Sequence, residues 1–147
     1  PSRTGMNVEA KTMAEMAKNP QLRTVKEASG NLSQIIEYFR VCGDRVSILS
    51  GNDDHVYPLL AMGGDGVISV AANIVPRQIH DMTSAFQIQL SLLPLISSLF
   101  TEVNPIPVKA ALALMGMAEN ELRLPLVPLS EKNEERLEQA MADLGLI

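Results

Sequence analysis

"QLRTVKEASGN", residues 21–31, decides how the whole chain reads. Residues 22 to 25 form a short apolar strand pattern, Lys26 closes it, and Glu27 leads into the small turn residues Ala28, Ser29, Gly30 and Asn31. A lysine at a strand end has an ordinary reading, in which its stem is buried and its ammonium stays in water. A second reading depends on architecture, because a parallel α/β barrel gathers its chemistry at the C-terminal ends of strands. A lysine that attacks a carbonyl must be neutral, and at a reference pKa of ~10.4 only about one in 2,500 is neutral at pH 7. Desolvation at a buried strand end lowers that pKa by ~3 units, which leaves roughly a quarter neutral. An enclosed Lys26 would therefore suit Schiff-base chemistry.

The same punctuation recurs along the chain. "ASGN" follows the first strand pattern and "LSGN" follows the second, "RVSILS" at 45–50, and each leads into a helix. Glycine tolerates the sharp turn and the polar residue after it caps the helix. A third strand is expected at 66–70, "GVISV". Helices are expected at 7–18, from Asn31 or Ser33 to Gly43, and over "HVYPLLAMG". Strands rich in Val and Ile that alternate with helices indicate a buried parallel sheet, either a barrel or a doubly wound fold.

Beyond Pro76 the strand pattern ends. Residues 76 to 100 read as helical, with Pro94 as a kink, and a stripe of Ile79, Met82, Phe86, Leu90 and Leu93 suggests one apolar face. "NPIPVKAALALMG" gives a further helix with Gly116 as its stop. "LRLPLVPLS" reads as extended, and Ser130 is expected to cap a last amphipathic helix to about Leu144.

Composition narrows the function classes. The 147 residues are 46 % apolar and 20 % charged, as expected of a globular chain with a core. A net charge of −5 with scattered basic residues argues against nucleic acid and against an anionic membrane surface. "LSLLPLISSLF" is too short and interrupted to span a bilayer. A single cysteine, Cys42, cannot form an internal disulfide, so a cytoplasmic setting is expected.

Other candidate sites read as structural. "AMGGDG" follows a helix and precedes a strand, the reverse of a phosphate loop, so Gly63 is expected to end the helix. "NDD" at 52–54 offers oxygen ligands but sits at a helix start, where Asp stabilises exposed N–H groups, and no other acidic cluster joins it. His55 and His80 lack metal-ligand spacing, so no metal and no cofactor is expected.

Taken together, "PSRTG", "VKEASGN", "LSGND", "GGDGVISVAANI" and "NPIPVK" resemble the dihydrodipicolinate synthase branch of the pyruvate-dependent, Schiff-base-forming lyases over essentially the whole chain. The resemblance implies a (β/α)8 TIM barrel with a C-terminal helical appendage, usually a homotetramer. It also implies condensation of pyruvate with aspartate semialdehyde in the diaminopimelate route to lysine. Carried over by position, Lys26 is the imine-forming lysine, Arg3 binds the carboxylate of the semialdehyde, the Ile68 main chain lies beside pyruvate, and Gly51 lines the same mouth. Arg3 carries the branch assignment, since sialic-acid and keto-sugar lyases share the lysine without "SRTG"; those siblings are the alternative reading. Asn52 stands where many synthases have Asp.

By the same resemblance this chain supplies strands six to eight and the appendage, with residues 1–84 as the C-terminal half of the barrel and 85–147 as the helical domain. The proton-relay tyrosine would precede "PSRTG", outside this sequence, as would most of the lysine feedback site. Three strands cannot close a barrel. A fragment is therefore expected, and an inactive interaction module is the further alternative. The family also has two helices joined by a turn where the stripe suggests one. Two helices, 76 to 86 and 88 to 100, are accordingly expected, with Phe86 and Ile88 flanking an omitted loop.

Overall fold

The computed structural model describes residues 4–82 and 86–147. They fall into two compact units, divided between Ser69 and Val70. The first holds helix α1 (Ala10–Met16), strand β1 (Thr24–Glu27), helix α2 (Leu32–Cys42), strand β2 (Ser47–Ser50), helix α3 (Val56–Ala61) and strand β3 (Gly66–Val67). The three strands form one parallel sheet in the order β1-β2-β3. The alternating α/β reading holds. The third strand, however, is two residues long where five were expected, because the chain leaves the ladder after Val67 and turns into a short 3-10 turn at Ala71–Asn73.

Apolar spacing explains the packing of this unit. Ile35, Tyr38 and Cys42 recur along one face of α2, and they bury against Met13 and Ala17 and against Val46 and Ile48 of the β2 segment. The Tyr38 hydroxyl, carried into this core, donates to the Val8 carbonyl at 2.5 Å. Asn31 caps α2 as read, its side chain accepting from the Gln34 N–H at 3.2 Å. Gly63 also ends α3 as read. At φ 96° it donates to the Leu60 carbonyl at 2.9 Å, and Gly64 donates to the Leu59 carbonyl at 3.0 Å. These paired bonds satisfy carbonyls that a helix end otherwise leaves open. The same geometry closes two later helices at Gly116 and Gly145.

The second unit is helical: α4 (Pro76–Met82), α5 (Phe86–Leu99), α6 (Ile106–Leu114) and α7 (Glu131–Ala142), with α5 packed on α4 and α7, and α6 on α7. The expectation of two helices, 76 to 86 and 88 to 100, rather than one turns on residues 83–85, which lie outside the described residues. Phe86 and Ile88 do not flank a break. They belong to the first turn of α5, and Ser91 already bonds back to the Ile88 carbonyl. Pro94 sits inside α5.

The apolar stripe is corrected too. Ile79 and Met82 are buried, but Phe86, Leu90 and Leu93 are exposed, and the inner face of α5 is Leu92, Leu95, Ile96 and Leu99. Spacing alone marks which residues share a helical face, not which face turns inward, and the packing of α5 on α4 and α7 buries a different one. Ser130 precedes α7 but does not cap it with its side chain. Its hydroxyl donates instead to Glu102 at 2.6 Å, as does its backbone N–H at 3.1 Å. No helix of the described residues is long and apolar enough to cross a membrane.

Candidate active site

The three strands finish at one edge of the sheet. Lys26 is in register with Leu49, and Leu49 with Gly66; Glu27 faces Ser50, and Ser50 faces Val67. Each neighbouring pair is then extended by one backbone bond. The Gly51 N–H donates to the Glu27 carbonyl at 2.6 Å, and the Ile68 N–H donates to the Ser50 carbonyl at 2.8 Å. Lys26, Gly51 and Ile68, far apart in sequence, are thereby brought together at the C-terminal ends of adjacent parallel strands, where the chemistry of barrel folds gathers. Gly51 lies under the stem of Lys26: a Cβ placed on it would sit 2.7 Å from Lys26 Cε. Ile68 is exposed at this edge.

Two expectations about Lys26 need correcting. Glu27, not Lys26, is the last residue of β1, and the Lys26 side chain is exposed, not enclosed. Enclosure is a tertiary property. β1 pairs with β2 on one side, and among the described residues no strand covers its other edge. Arg3 lies outside the described residues.

The loops that hold this edge are alike in letters and different in construction. After β1, the buried Glu27 accepts from the Ser29 N–H at 3.0 Å, and the Ser29 hydroxyl oxygen accepts from the Asn31 N–H at 3.1 Å. After β2, the buried Ser50 hydroxyl donates to the Asn52 carbonyl at 2.8 Å and accepts from the Asn52 N–H at 3.3 Å. Sequence reasoning passed over Glu27 and Ser50. The signal was present in each case, a polar residue at a strand end beside a turn, but polarity alone does not say that the group is buried and loop-bound.

The remaining candidates have the following surroundings. Cys42 is fully buried and burial pushes its thiol up, which makes it a poor nucleophile. Asp53 is buried in a 3-10 turn while Asp54 is exposed. Among the described residues no group of three or more His, Cys, Asp or Glu side chains could hold a metal.

Three parallel strands alternating with helices, with their C-terminal ends at one edge, define an α/β protein of the kind from which barrels are built. The chain belongs to the dihydrodipicolinate synthetase family, whose model matches residues 1–144. It is 48 % identical to the 4-hydroxy-tetrahydrodipicolinate synthase of Caldicellulosiruptor saccharolyticus, over 99 % of this chain and 52 % of that protein. That match runs over 155 positions against 147 residues here, so the relative carries residues with no counterpart in this chain. Among solved structures, the dihydrodipicolinate synthase of Thermotoga maritima superposes with a TM-score of 0.93 at 42 % identity, over 100 % of this chain and 54 % of that one. The enzyme of Acinetobacter baumannii, solved with pyruvate, gives 0.95 at 33 % identity with the same two coverages. The chain spans about half the length of the relatives it matches.

Proposed function

We propose that this chain supplies the Schiff-base half of a 4-hydroxy-tetrahydrodipicolinate synthase. Its first part (residues 1–84) provides strands six to eight of the barrel, and residues 85–147 provide the helical appendage. Lys26 Nζ adds to the ketone carbon of pyruvate and the carbonyl oxygen leaves as water, forming an imine. Protonated, that imine is an electron sink, so the pyruvate methyl gives up a proton to a base, by the resemblance the relay tyrosine expected upstream of "PSRTG", and becomes the nucleophilic carbon of an enamine. This carbon bonds to the aldehyde carbon of aspartate semialdehyde, on the way to 4-hydroxy-tetrahydrodipicolinate.

Arg3 holds the carboxylate of the semialdehyde, a task suited to a planar guanidinium that donates two parallel hydrogen bonds. The Ile68 main chain borders bound pyruvate, and Gly51 lines the mouth. Desolvation of Lys26, exposed in this chain, falls to the other half of a closed barrel. The assembly is a cytoplasmic homotetramer.

The observation that supports this reading best is the convergence of Lys26, Gly51 and Ile68 on one edge of three parallel strands. The test is reduction of the full-length protein with borohydride in the presence of pyruvate, followed by digestion and mass mapping. The adduct is expected on Lys26. An adduct on Lys11, Lys18 or Lys109 in its place refutes the assignment.

A further inference from the structure

Two glycines occupy the same place in the two similar loops, Gly30 in "ASGN" and Gly51 in "LSGN", and they are glycine for different reasons. Gly30 has φ 76°, in the left-handed region, and a Cβ there would meet nothing closer than 3.8 Å. Its requirement is conformational. Gly51 is the opposite case. Its backbone lies outside the left-handed region, so any L-residue could adopt it, yet a Cβ would stand 2.7 Å from Lys26 Cε, 3.0 Å from Lys26 Cγ and 2.7 Å from Ala28 Cβ. Gly51 is also bonded through its N–H to the Glu27 carbonyl at 2.6 Å, so it cannot easily retreat from β1.

We infer that Gly51 is a positioning residue for Lys26. The bare Cα leaves a channel across the sheet edge, and the lysine stem lies in it, which sets the direction in which the amine emerges. The inference rests on the imine chemistry proposed above and adds to it the residue that aims the amine. A methyl at position 51 has two effects that differ in kind. The end of the Lys26 stem is flexible and swings away at little cost, carrying the amine with it. Ala28 Cβ is fixed to its backbone, so that contact displaces the loop. A reacting atom misplaced by about 1 Å can lose about 100-fold in rate.

The two effects are separable. Gly51→Ala carries both, whereas Ala28→Gly/Gly51→Ala removes the loop contact and keeps the displaced lysine. In the full-length protein, the rate of borohydride-trapped pyruvate adduct on Lys26 is measured against pyruvate concentration for wild type, Ala28→Gly and these two variants, with thermal midpoints alongside. The expected result is a maximal trapping rate at least about tenfold lower in both variants that carry the Gly51→Ala change. The half-saturating pyruvate concentration should change little, and the midpoint of the double variant should return toward that of Ala28→Gly. A double variant that traps at the rate of Ala28→Gly overturns the inference, since the glycine would then serve only loop packing. Unchanged trapping in Gly51→Ala overturns it as well. A wild-type protein with no Lys26 adduct overturns the imine chemistry itself, and this inference with it.

Discussion

Replacing Gly64 by alanine would put a methyl 1.9 Å from Leu59 Cδ2 and 2.9 Å from both Leu59 Cγ and the Leu59 carbonyl oxygen. The first separation is about 1.6 Å inside the roughly 3.5 Å at which two carbons rest. Leu59 has no exposed surface into which to move, and its carbonyl is held by the Gly64 N–H in the closure of α3. The Gly64 backbone is not left-handed, so the penalty is steric. Overpacking of this kind costs about 2 kcal/mol. At ~2–4 °C per kcal/mol for a chain of this size, the midpoint of thermal unfolding should fall by about 4–8 °C.

Thermal and urea unfolding followed by circular dichroism measure this, and a double-mutant cycle identifies the cause. Leu59→Ala alone should cost ~2–5 kcal/mol, but it also vacates the space that the new methyl needs. The two losses together should therefore fall short of their sum by at least about 1 kcal/mol. A Gly64→Ala protein within about 0.5 kcal/mol of wild type, or a cycle additive to that margin, would refute the reasoning.

Lys26→Arg should abolish pyruvate trapping and turnover, because a guanidinium stays protonated and forms no imine; residual turnover above the uncatalysed rate would place the nucleophile elsewhere. Arg3→Ala should raise KM for aspartate semialdehyde or lower kcat while leaving pyruvate trapping intact, and loss of trapping in a folded variant would contradict its role. Hydrogen bonds from the Ser130 hydroxyl, the Asn133 amide and the Ser130 N–H hold the Glu102 carboxyl below its ordinary value of 4.5. That contribution to stability is whole above the ordinary value and is lost as pH falls through the depressed one. Acid titration of unfolding should show a weaker pH dependence in Glu102→Gln below pH ~4.5, and identical slopes would exclude the effect.

The order of helices and strands in the first unit was legible from local chemistry. Val and Ile runs, the Asn31 cap and the Gly63 stop act within a few residues of themselves, so the sequence carries them directly. Lys26 stood out for the same reason, as a charged residue at the end of a short apolar run. The family blocks added the roles proposed for Arg3, Gly51 and Ile68, which no local pattern contains.

Tertiary structure decided the rest, because those outcomes depend on partners far along the chain. Parallel pairing set Lys26 beside Leu49 and brought Gly51 and Ile68 to the same edge. Glu102, 28 residues from Ser130, drew away the hydroxyl expected to cap α7. The packing of α5 on α4 and α7 left Phe86, Leu90 and Leu93 exposed, although their spacing alone continues the buried stripe. Gly30 and Gly51 are the sharpest case. Identical letters in similar loops hide two requirements, a left-handed backbone in one and room for the Lys26 stem in the other. A backbone dihedral is set locally, but a side chain lying across a neighbouring strand exists only once the strands have paired.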